Sequence, residues 1–229
     1  MHSTMRATLL AAAGVTILAG CASAPPQPGA KDMTFFVTSV GPGKGGDLGG
    51  LAGADAHCQK LAAAAGANPD RVWRAYLSTQ APALADPNFV NARDRIGPGP
   101  WQNYNGVVIA RSVDELHSPA SNLNKQTTVD ERGRLVKGRT EQPNQHDMLT
   151  GSRPDGTAFP GAPFPDMTCG NWTKSGKDGS AMTGHHDLAG PIATGWAISW
   201  NSAHPTRGCD PDGLVSTGGA GYFYCFAAK

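Results

Sequence analysis

The spacing of apolar residues changes several times along the chain, and each change predicts a different element. Residues 9–20 form an almost unbroken apolar run that ends at Cys21. Residues 35–39 (FFVTS) are β-rich and closed by Gly41-Pro42-Gly43, which predicts a first strand. Leu51, Ala54, Cys58, Leu61 and Ala65 recur at helical spacing in an Ala-rich stretch that stops at Gly66. That predicts a helix over 51–65 with its Cys on the buried face. Residues 72–78 alternate as a strand does, and 89–96 predict a short helix or turn that gathers Asn91, Arg93, Asp94 and Arg95. Residues 107–110 predict a buried strand and 113–116 a turn of helix. The stretch 118–145 is polar and is expected on the surface, with a hairpin at Glu131-Arg132-Gly133. Beyond it, 146–150, 168–172, 193–200 and 222–226 each predict a short strand between Gly- and Pro-bearing loops. Trp73 and Trp172 are expected in the core, Trp101 and Trp200 at the surface.

Composition narrows the class. Gly 30 and Pro 18 make up about a fifth of the 229 residues, above the usual share but below the roughly 25–30% of low-complexity disorder. With 39% hydrophobic residues, enough for a real core, the expectation is one large, loop-rich domain. Lys+Arg 19 against Asp+Glu 18 leave a formal charge of +1, so no global field recruits nucleic acid, and none is expected as a partner. The glycines at 41–50 lack the Lys-Ser/Thr ending of a phosphate-binding loop.

The N-terminal run falls short of the roughly 20 residues that a membrane-spanning helix needs. Only Arg6 carries charge before Lys31, so residues 1–20 read as a secretory signal. Leu18-Ala19-Gly20-Cys21 resembles the bacterial lipobox, which implies cleavage before Cys21 and its lipidation. Two or more acyl chains, at about 0.8 kcal/mol per buried CH2, anchor a protein stably. Residues 21–33 then form the lipidated Cys and a Pro-containing tether, and 34–229 the folded domain. Ala22 stands where inner-membrane lipoproteins carry Asp, so the bacterial outer membrane is the expected location.

Four cysteines remain for the exported domain: Cys58, Cys169, Cys209 and Cys225. An oxidising compartment implies two disulfides, and three connectivities are open. None of the spacings is the short Cys-x-x-Cys of a zinc knuckle. If Cys58 pairs with Cys225 and Cys169 with Cys209, loops of that length stabilise by up to about 4–5 kcal/mol each.

Several strings occur in a familiar order: Gly53-Ala54-Asp55 with Cys58; Arg74-Ala75-Tyr76-Leu77-Ser78; Gly151-Ser152-Arg153-Pro154-Asp155-Gly156; Cys169 with Trp172; Cys209; and Tyr224-Cys225-Phe226. From Thr34 onward the chain resembles the endostatin domain, a variant of the C-type lectin fold. The resemblance implies a single loop-rich α+β domain of short antiparallel strands with one or two helices. It also implies nested disulfides, Cys58 with Cys225 and Cys169 with Cys209. The family's N-terminal zinc-binding histidines and Arg-rich heparin face have no counterpart here, because residues 22–50 lack His and the charge is balanced. Calcium-dependent lectins of the wider fold carry Glu-Pro-Asn or Gln-Pro-Asp with Trp-Asn-Asp. Glu141-Gln142-Pro143-Asn144 and Trp200-Asn201-Ser202 miss both patterns by one residue, so calcium is not favoured.

The densest polar set is Asp178, His185, His186, Asp187, Asn201 and His204, with Trp200 as an aromatic neighbour; together these are the candidate ligand-binding residues. Adjacent histidines on an extended chain face opposite sides, so only one of His185 and His186 is expected to join His204 and Asp187. Bracing of loops is the plainer role for each residue taken singly, and none is assigned to a metal. His146-Asp147 and the Arg93–Arg95 region read as buried polar clamps. Ser180, Ser199 and Ser202 lie near His and Asp in sequence, but no G-x-S-x-G elbow exists. No catalytic residue or cofactor is assigned. The expected function is a non-enzymatic, membrane-anchored envelope module that binds a glycan or a protein. The alternatives are a structural or assembly lipoprotein without a sugar site and, behind it, an envelope hydrolase.

Overall fold

A computed structural model describes residues 28–229. The expected signal segment, Cys21 and the first part of the tether lie outside the described residues. In chain order the elements are β1 (Phe35–Val37), α1 (Gly50–Ala64), β2 (Trp73–Ala75), β3 (Trp101–Gln102), β4 (Val108–Ala110), α2 (Val113–Leu116), β5 (Asp147–Leu149), α3 (Cys169–Trp172), β6 (Met182–His185), β7 (His204–Pro205), α4 (Pro211–Val215) and β8 (Gly219–Ala227). Short helix and short strand are mixed, so the domain is α+β. No described helix is long and apolar enough to cross a membrane.

The nine-residue β8 organises the sheet. Its C-terminal part is flanked by β1 and β2, both antiparallel to it. Its N-terminal part lies parallel to β5, against the expectation of antiparallel pairing throughout. β6 and β7 continue the sheet antiparallel beyond β5. Alternation along β1 and β8 divides the core between two faces. Phe36, Phe223 and Cys225 pack with Trp73, Trp172 and the buried side of α1. Phe35, Val37, Tyr224 and Phe226 pack with Tyr76, Trp101, Met148 and Trp200.

Cys58 on α1 is bonded to Cys225 on β8, and Cys169 to Cys209, the nested arrangement. A second tie of α1 to the sheet, through β2, is ionic. Asp55, on the inner side of α1, accepts from the Ala75 N–H at 2.9 Å and pairs with Arg74 at 2.7 Å and Arg95 at 2.8 Å. Arg95 also donates to the Ala75 carbonyl. Arg95 thus clamps Asp55 rather than Asp94, which takes a bond from Asn91.

Several local expectations are corrected. Residues 168–172 form no strand: the short α3 is a single left-handed turn, because Cys169, Gly170, Asn171 and Trp172 all have φ between 47° and 67°. Left-handed backbone of this kind costs roughly 1–2 kcal/mol per non-Gly residue. The Cys169–Cys209 bridge and the paired bonds of Asn171 to the Gln80 backbone hold it. Residues 193–200 contain a 3-10 turn at Gly195–Ile198, with no strand. The 118–145 stretch is not wholly superficial: Leu123, Thr128, Val129, Asp130, Glu131 and Val136 are buried. Its hairpin forms, with Val129 opposite Leu135. Trp101 and Trp200 are buried in the second core rather than exposed.

Candidate functional site

β5, β6 and β7 run side by side, so residues distant in sequence reach one end of the sheet together. Asp147 on β5 lies directly opposite His185 on β6, and Thr183 on β6 lies opposite His204 on β7. Directly opposed residues present side chains to the same face. His146 precedes Asp147 just outside β5, where strict strand alternation no longer applies, and its ring reaches the same carboxylate.

Three imidazoles therefore surround one carboxylate. The Nε2 atoms of His146, His185 and His204 stand 3.2, 3.4 and 3.6 Å from Oδ1 of Asp147. The His146 and His185 rings stack at 4.3 Å, and the His204 ring meets His185 edge-on. Asp147, His146 and His185 are buried; only His204 reaches solvent, with 27% of its side chain exposed. Above the cluster opens a cleft of about 410 Å³ whose walls include Arg139, Asn144, Trp196 and Thr217. A larger hollow of about 690 Å³ beside Trp101 and the C-terminus has no histidine in its lining.

The far side of each ring is fixed by an oxygen. His185 Nδ1 lies 2.7 Å from the Ala197 carbonyl, His204 Nδ1 3.2 Å from the Pro205 carbonyl, and His146 Nδ1 3.2 Å from Asp187 Oδ1. A carbonyl or an ionised carboxylate only accepts, so each Nδ1 donates and a neutral ring leaves a bare lone pair on Nε2. Asp187 is itself pinned by the Arg139 N–H at 2.7 Å and the Ala189 N–H at 3.1 Å. Burial pushes its carboxyl up, but the His146 and Arg139 bonds outweigh burial and hold it below the usual carboxylate range. Burial pulls His185 down to about 4, against its bond to the Ala197 carbonyl. Burial likewise pushes Asp147 up to about 6, against the pull of His204 and His146.

Of the seven candidate residues, the structure brings His185 and His204 into the cleft and sets Asp187 behind it as the partner of His146. His186 turns the other way, to the Lys137 carbonyl, as an extended pair requires. Asp178 is exposed on the loop that runs past the Cys169–Cys209 bridge and makes no hydrogen bond to the cluster. Asn201 is buried and donates to Tyr76 Oη and the carbonyls of Arg153 and Pro154, which makes it a brace. Trp200 packs on Tyr76 and Tyr224 in the core; the tryptophan at the cleft is Trp196, 48% exposed.

The calcium near-miss motifs do not meet. Glu141 is bound to Lys125 and to the Gly138 N–H, whereas Asn201 is occupied under Tyr76. Among the described residues no serine hydroxyl is hydrogen-bonded to a histidine; Ser199 bonds Asn201 instead. His146 and Asp147, the centre of the site, carry no recognisable spacing with 185 and 204. Only the strand register assembles them. No family model matches the chain, and no curated protein matches it.

Proposed function

We propose that the chain is a bacterial envelope lipoprotein, anchored through Cys21 to the outer membrane, whose domain is a non-enzymatic binding module of endostatin-like, C-type-lectin-like fold. The fold reading is supported by the bridge between α1 and the last strand and by a second bridge nested within it. The ligand is a glycan, taken in the cleft over the histidine cluster. One observation carries this: Trp196, half-exposed, stands beside Arg139, Asn144 and Thr217 around an open cleft of about 410 Å³. Sugar recognition needs such an aromatic face next to directional polar groups. Ile192 and Ile198 are also exposed near Trp196 in sequence, and this apolar stretch supports the second reading, a protein partner docked on the same rim.

The two separate experimentally. A Cys21→Ser chain is passed over glycan arrays and purified peptidoglycan, alongside the Trp196→Ala and Arg139→Ala variants. Saturable glycan binding that both substitutions weaken supports the sugar site. Binding only to an envelope protein, lost with Ile192→Ser and Ile198→Ser, supports the second reading. Glycan binding that neither cleft variant alters overturns the placement of the site.

A further inference from the structure

The arrangement at Asp147 is chemically incomplete. Among the described residues six buried side-chain polar atoms lack a hydrogen-bond partner, and three of them are Asp147 Oδ1, Asp147 Oδ2 and His185 Nε2. Buried polar groups are otherwise almost always paired, and an unpaired carboxylate is the costliest to leave so. Three ring nitrogens face that carboxylate, and with the rings neutral their protons sit on the opposite atom, so acceptors face an acceptor. A positive charge between them removes the conflict.

We propose that His146, Asp147, His185 and His204 together bind one divalent transition-metal ion of the zinc class. The distances agree with that ion. Zn–N and Zn–O bonds of about 2.0–2.2 Å in a tetrahedron put neighbouring donors about 3.3–3.6 Å apart, and the three Nε2–Oδ1 separations are 3.2, 3.4 and 3.6 Å. The donor atoms of His146, Asp147 and His185 all lie within 4.8 Å of one another. His204 lies outside that triad although its Nε2 is 3.6 Å from Asp147, so its partly exposed side chain turns inward to complete the set around an ion. Three imidazoles and a carboxylate suit zinc and its neighbours, whereas calcium or magnesium demands six or more oxygens.

The outer shell is also in place. Ligating histidines donate their other N–H to a carboxylate or a backbone carbonyl, which orients the ring and fixes the tautomer. Asp187, the Ala197 carbonyl and the Pro205 carbonyl do this for His146, His185 and His204. Asp187 is thus a positioning residue. Because His204 is partly exposed at the cleft, the ion lies under the cleft floor and has one side toward solvent. The proposal stands on this geometry whether the cleft takes a glycan or a protein.

The test uses untagged Cys21→Ser chain, stripped with chelator and titrated with Zn²⁺ alone by calorimetry, with bound metal counted by mass spectrometry. The expected result is one ion per chain, with Mg²⁺ and Ca²⁺ not competing, and the intense visible absorption of four-coordinate Co²⁺ when cobalt replaces zinc. His185→Ala and His204→Ala should each weaken binding by more than about 100-fold, and Asp187→Asn by about 10–100-fold. His57→Ala, on α1 and outside the cluster, should leave it unchanged. His204 is the most exposed ligand, so its variant keeps the test sound if the buried ones fail to fold. Sub-stoichiometric binding, or binding that survives His204→Ala, overturns the proposal. So does a metal-free wild type in which nuclear magnetic resonance finds a proton on the Nε2 atoms that face Asp147.

Discussion

Asp147 and His185 face each other across adjacent antiparallel strands, and His185 Nε2 approaches Asp147 Oδ1 to 3.4 Å with its only proton committed to the Ala197 carbonyl. That relationship sets a trade between stability and binding. Without a cation the buried acceptors repel one another, and with one they become a ligand set.

Replacing Asp147 by Asn puts an amide donor among the three Nε2 atoms. The variant should lose metal binding and, in the presence of chelator, be more stable than the wild type by about 1–3 kcal/mol, the cost of an unpaired buried polar group. Urea denaturation of both proteins in chelator measures it. A less stable Asn variant would mean that Asp147 already has its partner.

Zinc should stabilise the native protein by mass action. At 100 times Kd the gain is about 2.7 kcal/mol, which corresponds to a rise in Tm of about 5–10 °C for a chain of this size. Scanning calorimetry of the stripped protein with and without zinc provides the check, and His204→Ala should abolish the rise.

Two tryptophans four residues apart should behave oppositely. Trp196→Ala should change stability by no more than about 0.5 kcal/mol, as surface substitutions do. Trp200→Ala should cost about 3–5 kcal/mol, because it empties the core between Tyr76 and Tyr224. Chemical denaturation of the pair decides it.

The ion triad under α1 makes a separate claim. Asp55→Ala leaves Arg95, whose side chain is only 11% exposed, without its carboxylate. Breaking a buried pair from one side costs about 3–5 kcal/mol. Arg74 is more exposed, at 44% of its side chain, so Arg74→Ala should cost far less. Urea midpoints of the two variants order them.

What was legible in the sequence was what local periodicity or covalent chemistry fixes. The α1 helix with its inward Cys58, the strands at Phe35 and Trp73, the hairpin at Glu131 and the final strand follow from spacing and turn residues. What was not legible depends on contacts across the sheet. Residues 168–172 have the apolar content of a strand, but the left-handed Gly170-Asn171 turn is set by a disulfide and by bonds to Gln80. The α4 helix did leave a signal, Asp210 as its cap and Pro211 in its first turn. At the site, His185 and His204 stood out as polar residues among loops. His146 and Asp147 read in sequence as a local clamp, because their partners lie some forty to sixty residues away and are brought in only by the register of β5, β6 and β7.

The N-terminal anchor is tested by metabolic palmitate labelling. Label should be present in the wild-type chain and absent from Cys21→Ser, which should also leave the membrane fraction. Persistent label in the variant would contradict the lipobox reading.

The metal claim is met most directly by diffraction from zinc-soaked crystals of the Cys21→Ser chain, recorded on both sides of the zinc absorption edge. One anomalous peak per chain is expected, about 2.0–2.2 Å from the Nε2 atoms of His146, His185 and His204 and from an oxygen of Asp147. Zinc found only elsewhere on the surface, with the four side chains joined to one another by direct hydrogen bonds, would contradict it.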